Sequence, residues 1–482
     1  MQALPNYALL WPELLVTALA LLVLALDFLV PKLRKRALGY LSAAGLAAVL
    51  ALSLAFLWGR QESLYEGLFL VDNFSLFFKA LFLIVGTFVI LMSVDYVDQH
   101  LEHPGEFYGI ILFSVVGMMV MAATGELLTA YIALELLSFS LYVLVAIARD
   151  NPKSNEAGLK YVLLGAFSTA LLLYGISLLY GVLGVTRFED ISSKLQAMDS
   201  INPTLLVGLT LIIAGLGFKV AAVPFHMWAP DIYEGAPTPV TAYLSVASKA
   251  AAFALVLRFF AVALAPAVDQ WAFLLVVLAA VTMTVGNLVA IAQRNIKRLI
   301  AYSSIAHVGY LLMGVAALSA LGSNGLLFHL VGYAVTTNLA AFVVIIAFFN
   351  RTGKEEISDF AGLADRAPFL AMALSAALFS LAGLPFFAGF TTKFYLFTAV
   401  AREGYLWLVG IAMVNSLISL YYYLMVIRQM YIEPASDASR LRVPALLSGL
   451  LAVLVLLIIL IGIYPSPLLR AIEAATRAII PA

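Results

Sequence analysis

Apolar residues run along this chain in blocks of about 20, the length that crosses the hydrocarbon of a bilayer as a helix. The blocks stop at charged residues or at clusters of Pro and Gly. The pattern predicts about fourteen helical segments, near 7–30, 37–58, 70–95, 107–124, 126–148, 157–184, 204–229, 238–266, 268–293, 296–318, 324–350, 367–400, 405–432 and 442–466. An all-α polytopic membrane protein is therefore the expected fold class.

Two segments are interrupted. In FKVAAVPFHMWAPD, Pro224 has no N–H to give the carbonyl of Val220, so the helix is expected to break one turn after Lys219. In LAGLPFFAGF, Pro385 denies a partner to the carbonyl of Leu381, and Gly383 and Gly389 loosen the backbone ahead of Lys393. Within lipid, a freed carbonyl must find a partner inside the protein or line a wet cavity. The breaks lie five segments apart, each with a lysine. Segments four to eight are thus expected to recur as nine to thirteen, and an odd repeat length inverts the second copy.

Composition agrees with the pattern. Of 482 residues, 64% are hydrophobic and 11% charged, where a soluble chain has about 25% charged, and the mean hydropathy is +1.04. Formal net charge is zero, so nothing suggests a nucleic-acid partner. The chain has no cysteine, which excludes thiolate-held iron–sulfur clusters, disulfides and thiol catalysis on it. The opening MQALPNYALLWPE lacks the positive charge of a signal peptide and is read as mature sequence. Loops after odd-numbered segments hold fifteen Lys and Arg, among them Lys32, Arg34, Lys35 and Arg36, against six on the other side. Positive loops stay in the cytoplasm, so both termini are expected to face away from it.

Six basic residues remain inside the segments: Lys79, Lys160, Lys219, Lys249, Arg258 and Lys393. Each costs roughly 2.5–3.5 kcal/mol at a helix centre and should face the protein interior or water. Lys160 lies near the start of its helix and can snorkel. Glu135, in YIALELLSF, needs a cation, and Lys219 is its natural partner. At about 5 Å and an effective dielectric near 20, their attraction is roughly 3 kcal/mol. Burial works against the ammonium and the carboxylate works for it, so a moving partner can make the lysine gain or lose a proton. The same pair can equally be a static packing element. Lys249, in SVASKAAAF, is either the next proton stop or a cap for stray carbonyls of the broken seventh segment; Lys393 has the same two readings. Lys79 is as well explained by packing, and Arg258 stays charged and is read as structural. His307, in AYSSIAHVGY, sits with Tyr302, Ser303, Ser304 and Tyr310 on a helix that can carry a proton. His226 and His329 are further candidates, and any of the three can be a buried structural histidine. No histidines have metal-ligand spacing, and no phosphate loop, haem-ligand pair or flavin-holding domain is visible. Electron transfer is not expected on this chain.

Four stretches, YIALELLSFSLYVL, GLGFKVAAVPFHMWAPDIYEGAPTPVTAYLSVASKAAAF, NIKRLIAYSSIAHVGYLLMG and SLAGLPFFAGFTTKFYLF, together resemble one family. It comprises the antiporter-like, proton-translocating subunits of NADH-quinone oxidoreductase (respiratory complex I) and includes Mrp-type cation/proton antiporters. The resemblance covers roughly residues 105–430. It implies fourteen transmembrane helices, two inverted five-helix repeats each containing a broken helix, and a polar axis at the membrane midplane. Residues 1–104 would be three N-terminal helices, 105–266 the first half-channel, 267–432 the second, and 433–482 a last helix and tail. Glu135 and Lys219 would be the coupled pair, Lys249 and His307 the connecting path, and Lys393 the terminal proton carrier. Lys160 matches a family lysine that tunes the coupled one, and Lys79 matches nothing singled out in the family. Lys393 stands where subunit M typically has glutamate, and the chain ends without the lateral helix expected of subunit L. The third antiporter-like subunit is thus the expectation.

The implied partners are a neighbouring subunit M, small membrane subunits such as K, and the lipid bilayer, in a bacterial inner membrane. No cofactor is implied on this chain; NADH, FMN, iron–sulfur clusters and quinone belong to the complex. The function implied is proton translocation coupled to quinone reduction in other subunits. A Mrp-type Na⁺/H⁺ antiporter, a hydrogenase- or ferredoxin-linked pump and a non-conducting structural subunit are the alternatives. The charge bias makes one direct prediction: alkaline phosphatase fused to the C-terminus will be active, and an inactive fusion with a bright cytoplasmic reporter would reverse the orientation.

Overall fold

The computed structural model describes residues 6–29, 35–200, 202–435 and 439–480. Lys32 and Arg34, counted above in the first positive loop, lie outside the described residues. Three helices open the chain: α1 (Trp11–Leu29), α2 (Lys35–Leu57) and α3 (Asn73–His100). A short antiparallel hairpin, β1 (Glu62–Leu64) on β2 (Phe69–Val71), joins the last two. Next come α4 (Pro104–Ala123), α5 (Leu127–Val145), α6 (Pro152–Leu183) and a short amphipathic α7 (Phe188–Gln196). α8 (Pro203–Val220) ends at the first break, followed by α9 (Trp228–Gly235) and α10 (Thr238–Tyr243). A π-helical turn at Leu244–Ser248 then leads into α11 (Lys249–Arg258). α12 (Val268–Ala290), α13 (Ile296–Ala316) and α14 (Ala320–Tyr333) follow, the last running through a second π segment into α15 (Phe342–Thr352). After α16 (Leu363–Arg366) come α17 (Pro368–Ala382), α18 (Ala388–Arg402), α19 (Leu406–Tyr431), α20 (Ala445–Ile463) and α21 (Ser466–Thr476).

Among the described residues, thirteen helices are long and apolar enough to cross a bilayer, counting those that continue through π turns as one. The difference from fourteen is the segment at 367–400, which is built from α17 and α18 of 15 residues each. Both breaks are made the same way. Ala221 turns to φ 64° and Gly383 to φ 88°. The residue after each reaches back to a carbonyl five positions earlier: Ala222 N–H to Gly217 at 2.8 Å, and Leu384 N–H to Phe379 at 3.0 Å. This left-handed stop satisfies carbonyls that the helix end would otherwise orphan. Glycine makes the turn freely, whereas alanine pays roughly 1–2 kcal/mol. The first break falls two residues after Lys219, sooner than the turn expected from Pro224. Lys219 precedes its break, and Lys393 follows its own.

The packing is ordered from the most polar helix outwards. Apart from Arg298, every residue of α13 is buried, including Tyr302, Ser303, Ser304, His307 and Tyr310. The outer helices expose leucine and phenylalanine instead, for example Leu14, Phe28, Phe56 and Leu456. A solvent of hydrocarbon reverses the usual preference, since polar groups can be satisfied only by other protein. α12 lies along α13 so closely that a Cβ on Gly309 would sit 2.5 Å from the amide nitrogen of Met283. A Cβ on Gly286 would meet that of Ala306 at 2.6 Å.

Two ion pairs tie the N-terminal helices down. Lys79 on α3 meets Glu13 on α1 at 2.8 Å, both buried; it is a packing pair whose carboxylate the sequence reading did not connect to it. Arg258 grips Asp72 with two bonds of 2.7 and 2.8 Å, while Asp72 caps α3 through the Ser75 N–H. Arg258 thus has the structural role expected of it. Burial alone would push the Asp72 carboxyl up, but the Arg258 guanidinium and the Ser75 bonds outweigh burial and hold it below the ordinary range. The clamp therefore stabilises fully above the unfolded carboxylate pKa of about 3.9 and weakens as pH falls through the lower folded value. Asp72→Asn is expected to lower the melting temperature of the purified protein at neutral pH and to flatten its decline in acid. An unchanged acid profile would remove the clamp from the account.

Candidate functional site

Three lysines are buried around the centre of the molecule: Lys219 at the end of α8, Lys249 at the start of α11 and Lys393 on α18. The Lys219 ammonium donates to Ser138 Oγ of α5 at 2.8 Å. Lys249 donates to Ser304 Oγ of α13 and lies 5.7 Å from the ring centre of Tyr233. Lys393 donates to the carbonyl of Leu381 at 2.8 Å and to Ser416 Oγ at 3.0 Å, and stands 5.0 Å over the ring of Tyr310. The carbonyl that Pro385 was expected to set free is thus taken by the lysine beyond the break. Lys249, by contrast, does not cap the broken seventh segment; it reaches across to α13.

The partners of these lysines share one chemical property. A hydroxyl accepts from an ammonium, and by turning its hydrogen it can donate to the neutral amine. Each of the three lysines touches a serine, so each keeps a partner in either protonation state. Lys79, tied to Glu13, and Lys297, tied to Glu355 at 2.8 Å, are held by carboxylates instead. A carboxylate only accepts, so it favours the charged lysine and fixes it.

Glu135 sits one helical turn before Ser138 on α5 and is half-buried, beside Tyr131. It acts on Lys219 through its field, yet Ser138 rather than Glu135 receives the hydrogen bond of Lys219. Glu135 therefore stands near Lys219 without a direct hydrogen bond to it, and the Ser138 hydroxyl also donates to the Leu134 carbonyl at 2.7 Å. One carboxylate oxygen of Glu135 is buried without a protein partner. Lys160 lies elsewhere, nearly half exposed, bonded to Glu156 at 2.7 Å and Asp231 at 3.0 Å. His226 lies between α8 and α9, buried, with Nδ1 unpartnered.

Between Lys249 and Lys393 the polar groups form two hydrogen-bonded stretches that meet at a ring contact. Tyr333 OH lies 2.7 Å from the Ser304 Oγ that binds Lys249. The Tyr333 ring packs against His307 with centres 5.0 Å apart. His307 Nδ1 is 3.1 Å from His329 Nε2, and His329 Nδ1 is 3.1 Å from Thr392 Oγ1, next in sequence to Lys393. One of the paired histidine nitrogens must carry the hydrogen. His329, less supported than His307 in the sequence, is thus as central as His307. Ser138, Tyr333, Thr392 and Ser416 were missed. The first two lie one turn beyond Glu135 and His329 and Thr392 adjoins Lys393, so helical spacing could have found three of them. Ser416 has no such signal.

The family described as "NADH:quinone oxidoreductase/Mrp antiporter, TM" matches residues 124–419, so fold and site define an antiporter-like, multi-pass integral membrane protein. NADH-quinone oxidoreductase subunit N of Moorella thermoacetica is 44% identical over 478 residues, covering 99% of this chain and all of that one. Subunit N of Trichlorobacter lovleyi is 44% identical over 98% of both chains. In solved structures, a chain of respiratory complex I from Thermus thermophilus with bound aureothin superimposes with a TM-score of 0.81. Its identity is 32%, over 96% of this chain and 99% of that one. A chain of the Mrp complex from Dietzia sp. DQ12-45-1b shares the fold at a TM-score of 0.85 and 22% identity, over 98% and 97% of the two chains. The chain belongs to the NADH-quinone oxidoreductase subunit N family.

Thr392→Val keeps the shape of the side chain and strands His329 Nδ1, a loss of about 1–3 kcal/mol for an unpaired buried group. A melting temperature lowered in Thr392→Val and restored in Thr392→Ser is the expected result; equal values for all three would show that the bond contributes nothing.

Proposed function

We propose that this chain moves protons across the membrane as an antiporter-like subunit of the membrane arm of NADH-quinone oxidoreductase, driven by quinone reduction in other subunits. The observation that carries this reading is the set of hydroxyl-held lysines, two of which have Ser304, Tyr333, His307, His329 and Thr392 between them. Such side chains can pass protons, and none is positioned to pass electrons. Residues 105–266 would form the first half-channel and 267–432 the second, as inverted copies. Partners would be a neighbouring subunit M and small subunits such as K, in a bacterial inner membrane with both termini outside the cytoplasm. NADH, FMN, iron–sulfur clusters and quinone would be held by other subunits.

In this mechanism a charge change near Glu135 alters how tightly Lys219 holds its proton. When the carboxylate's field weakens, burial favours the neutral amine, which Ser138 can still bond by donating. The proton passes to Lys249, along the Ser304–Tyr333 and His307–His329–Thr392 contacts, and on to Lys393. From there it leaves on the far side, and reloading from the cytoplasm resets Lys219. A membrane potential of 100 mV opposes each proton by about 2.3 kcal/mol. One buried charge interaction at an effective dielectric near 20 is of that size. Exchange of Na⁺ for H⁺ has less support, because likeness to the Mrp chain at 22% identity extends only to the fold.

Lys219→Ala, Lys249→Ala and Lys393→Ala in the assembled complex, in inside-out vesicles, are each expected to lower the protons pumped per NADH oxidised. A normal ratio in all three would leave the chain a structural subunit.

A further inference from the structure

The short helix α9, just beyond the first break, has two different faces. Asp231 and Glu234, three residues apart, point outwards into an ion-pair ring with Lys160, Arg298 and Lys153. With Glu156 these residues border a cavity of about 180 Å³ that is partly open at the surface. Tyr233, between the two acids, turns inwards, with its ring under Lys249 and its hydroxyl beside Ser304. That hydroxyl is completely buried and lacks a properly aligned protein partner. Tyr161 on α6 is in the same condition: its hydroxyl is buried and unpartnered, it lies near Tyr233, and its ring stacks on Trp228 of α9 at 5.0 Å. It directly follows Lys160, which lines the cavity. Buried hydroxyls take partners as a rule, and water supplies them where protein does not. Two adjacent exceptions between a charged cavity and a proton-carrying lysine require a reason.

We propose that this cavity is the cytoplasmic proton inlet, and that the hydroxyls of Tyr161 and Tyr233, linked by water, relay its protons to Ser304 and Lys249. Each tyrosine oxygen accepts an incoming proton as its own hydrogen is released inwards, so neither ring changes charge and one proton is delivered to the neutral amine of Lys249, from which Lys219 is reloaded. Tyr233 is a positioning and relay residue, distinct from the lysines. The inlet rests on the pump reading given above, and its test separates the two.

In the assembled complex in vesicles, Tyr233→Phe keeps the ring under Lys249 and removes only the oxygen. It is expected to slow NADH-driven proton pumping about a hundredfold, the lower range for a lost proton-transfer group, and to change the solvent isotope effect in D₂O. NADH oxidation by an artificial acceptor and the amount of assembled complex should stay the same. Tyr174→Phe, on the exposed face of α6, should change nothing. Pumping and isotope effect unchanged in Tyr233→Phe, with pumping lost in Lys249→Ala, would overturn the inlet and leave the pump standing. If Lys249→Ala, Lys219→Ala and Lys393→Ala also pump normally, both fall. Should Tyr233→Phe not assemble, Tyr161→Phe carries the same expectation and the same refutation.

Discussion

The structure depends on what it costs to keep an ammonium ion out of water. A lysine in the middle of a membrane protein has two stable solutions: a carboxylate beside it, or groups that can bond either of its forms. This chain uses both, in different places. Lys79 and Lys297 have carboxylates and are fixed. Lys219, Lys249 and Lys393 have serines and, among the described residues, no carboxylate in contact, an arrangement that under the proposed function leaves their protons transferable. Breaking a buried ion pair strands a charge; exchanging a proton beside a hydroxyl strands nothing.

The broken helices follow from the same constraint. A continuous helix satisfies its own carbonyls and offers none to a lysine. By ending α17 at a left-handed glycine, the chain exposes the Leu381 carbonyl to Lys393. At the first break the arrangement differs: Trp228 Nε1 takes the Phe218 carbonyl at 2.8 Å, and Lys219 is left to the serine of another helix. The two breaks are alike in backbone and unlike in what the backbone is used for.

Much of this was legible in the sequence. The spans, both breaks and the central lysines follow from hydropathy, proline chemistry and the price of buried charge, all properties of single residues in short windows. Partners were harder to read. Glu135 and Lys219 were paired because opposite charges attract, yet Ser138, a less conspicuous residue one turn away, holds the lysine. Glu13 was overlooked as the partner of Lys79 because it lies 66 positions away on another helix. His329 looked weaker than His307 because its own helix is apolar; its bonding partners, His307 and Thr392, belong to α13 and α18. Within-helix spacing carries local information, whereas a proton path is made of contacts between helices.

The burial of α13, all but Arg298, has a consequence for biogenesis. This helix, with four hydroxyls and an imidazole among its buried side chains, leaves the ribosome before α14, α18 and α19 exist to bond it. Its close fit to α12, at Gly286 and Gly309, gives it one neighbour from the start. The two are therefore best regarded as a hairpin that enters the lipid together. The later helices then close around it, and the wiring is finished only when the last of them has been synthesised.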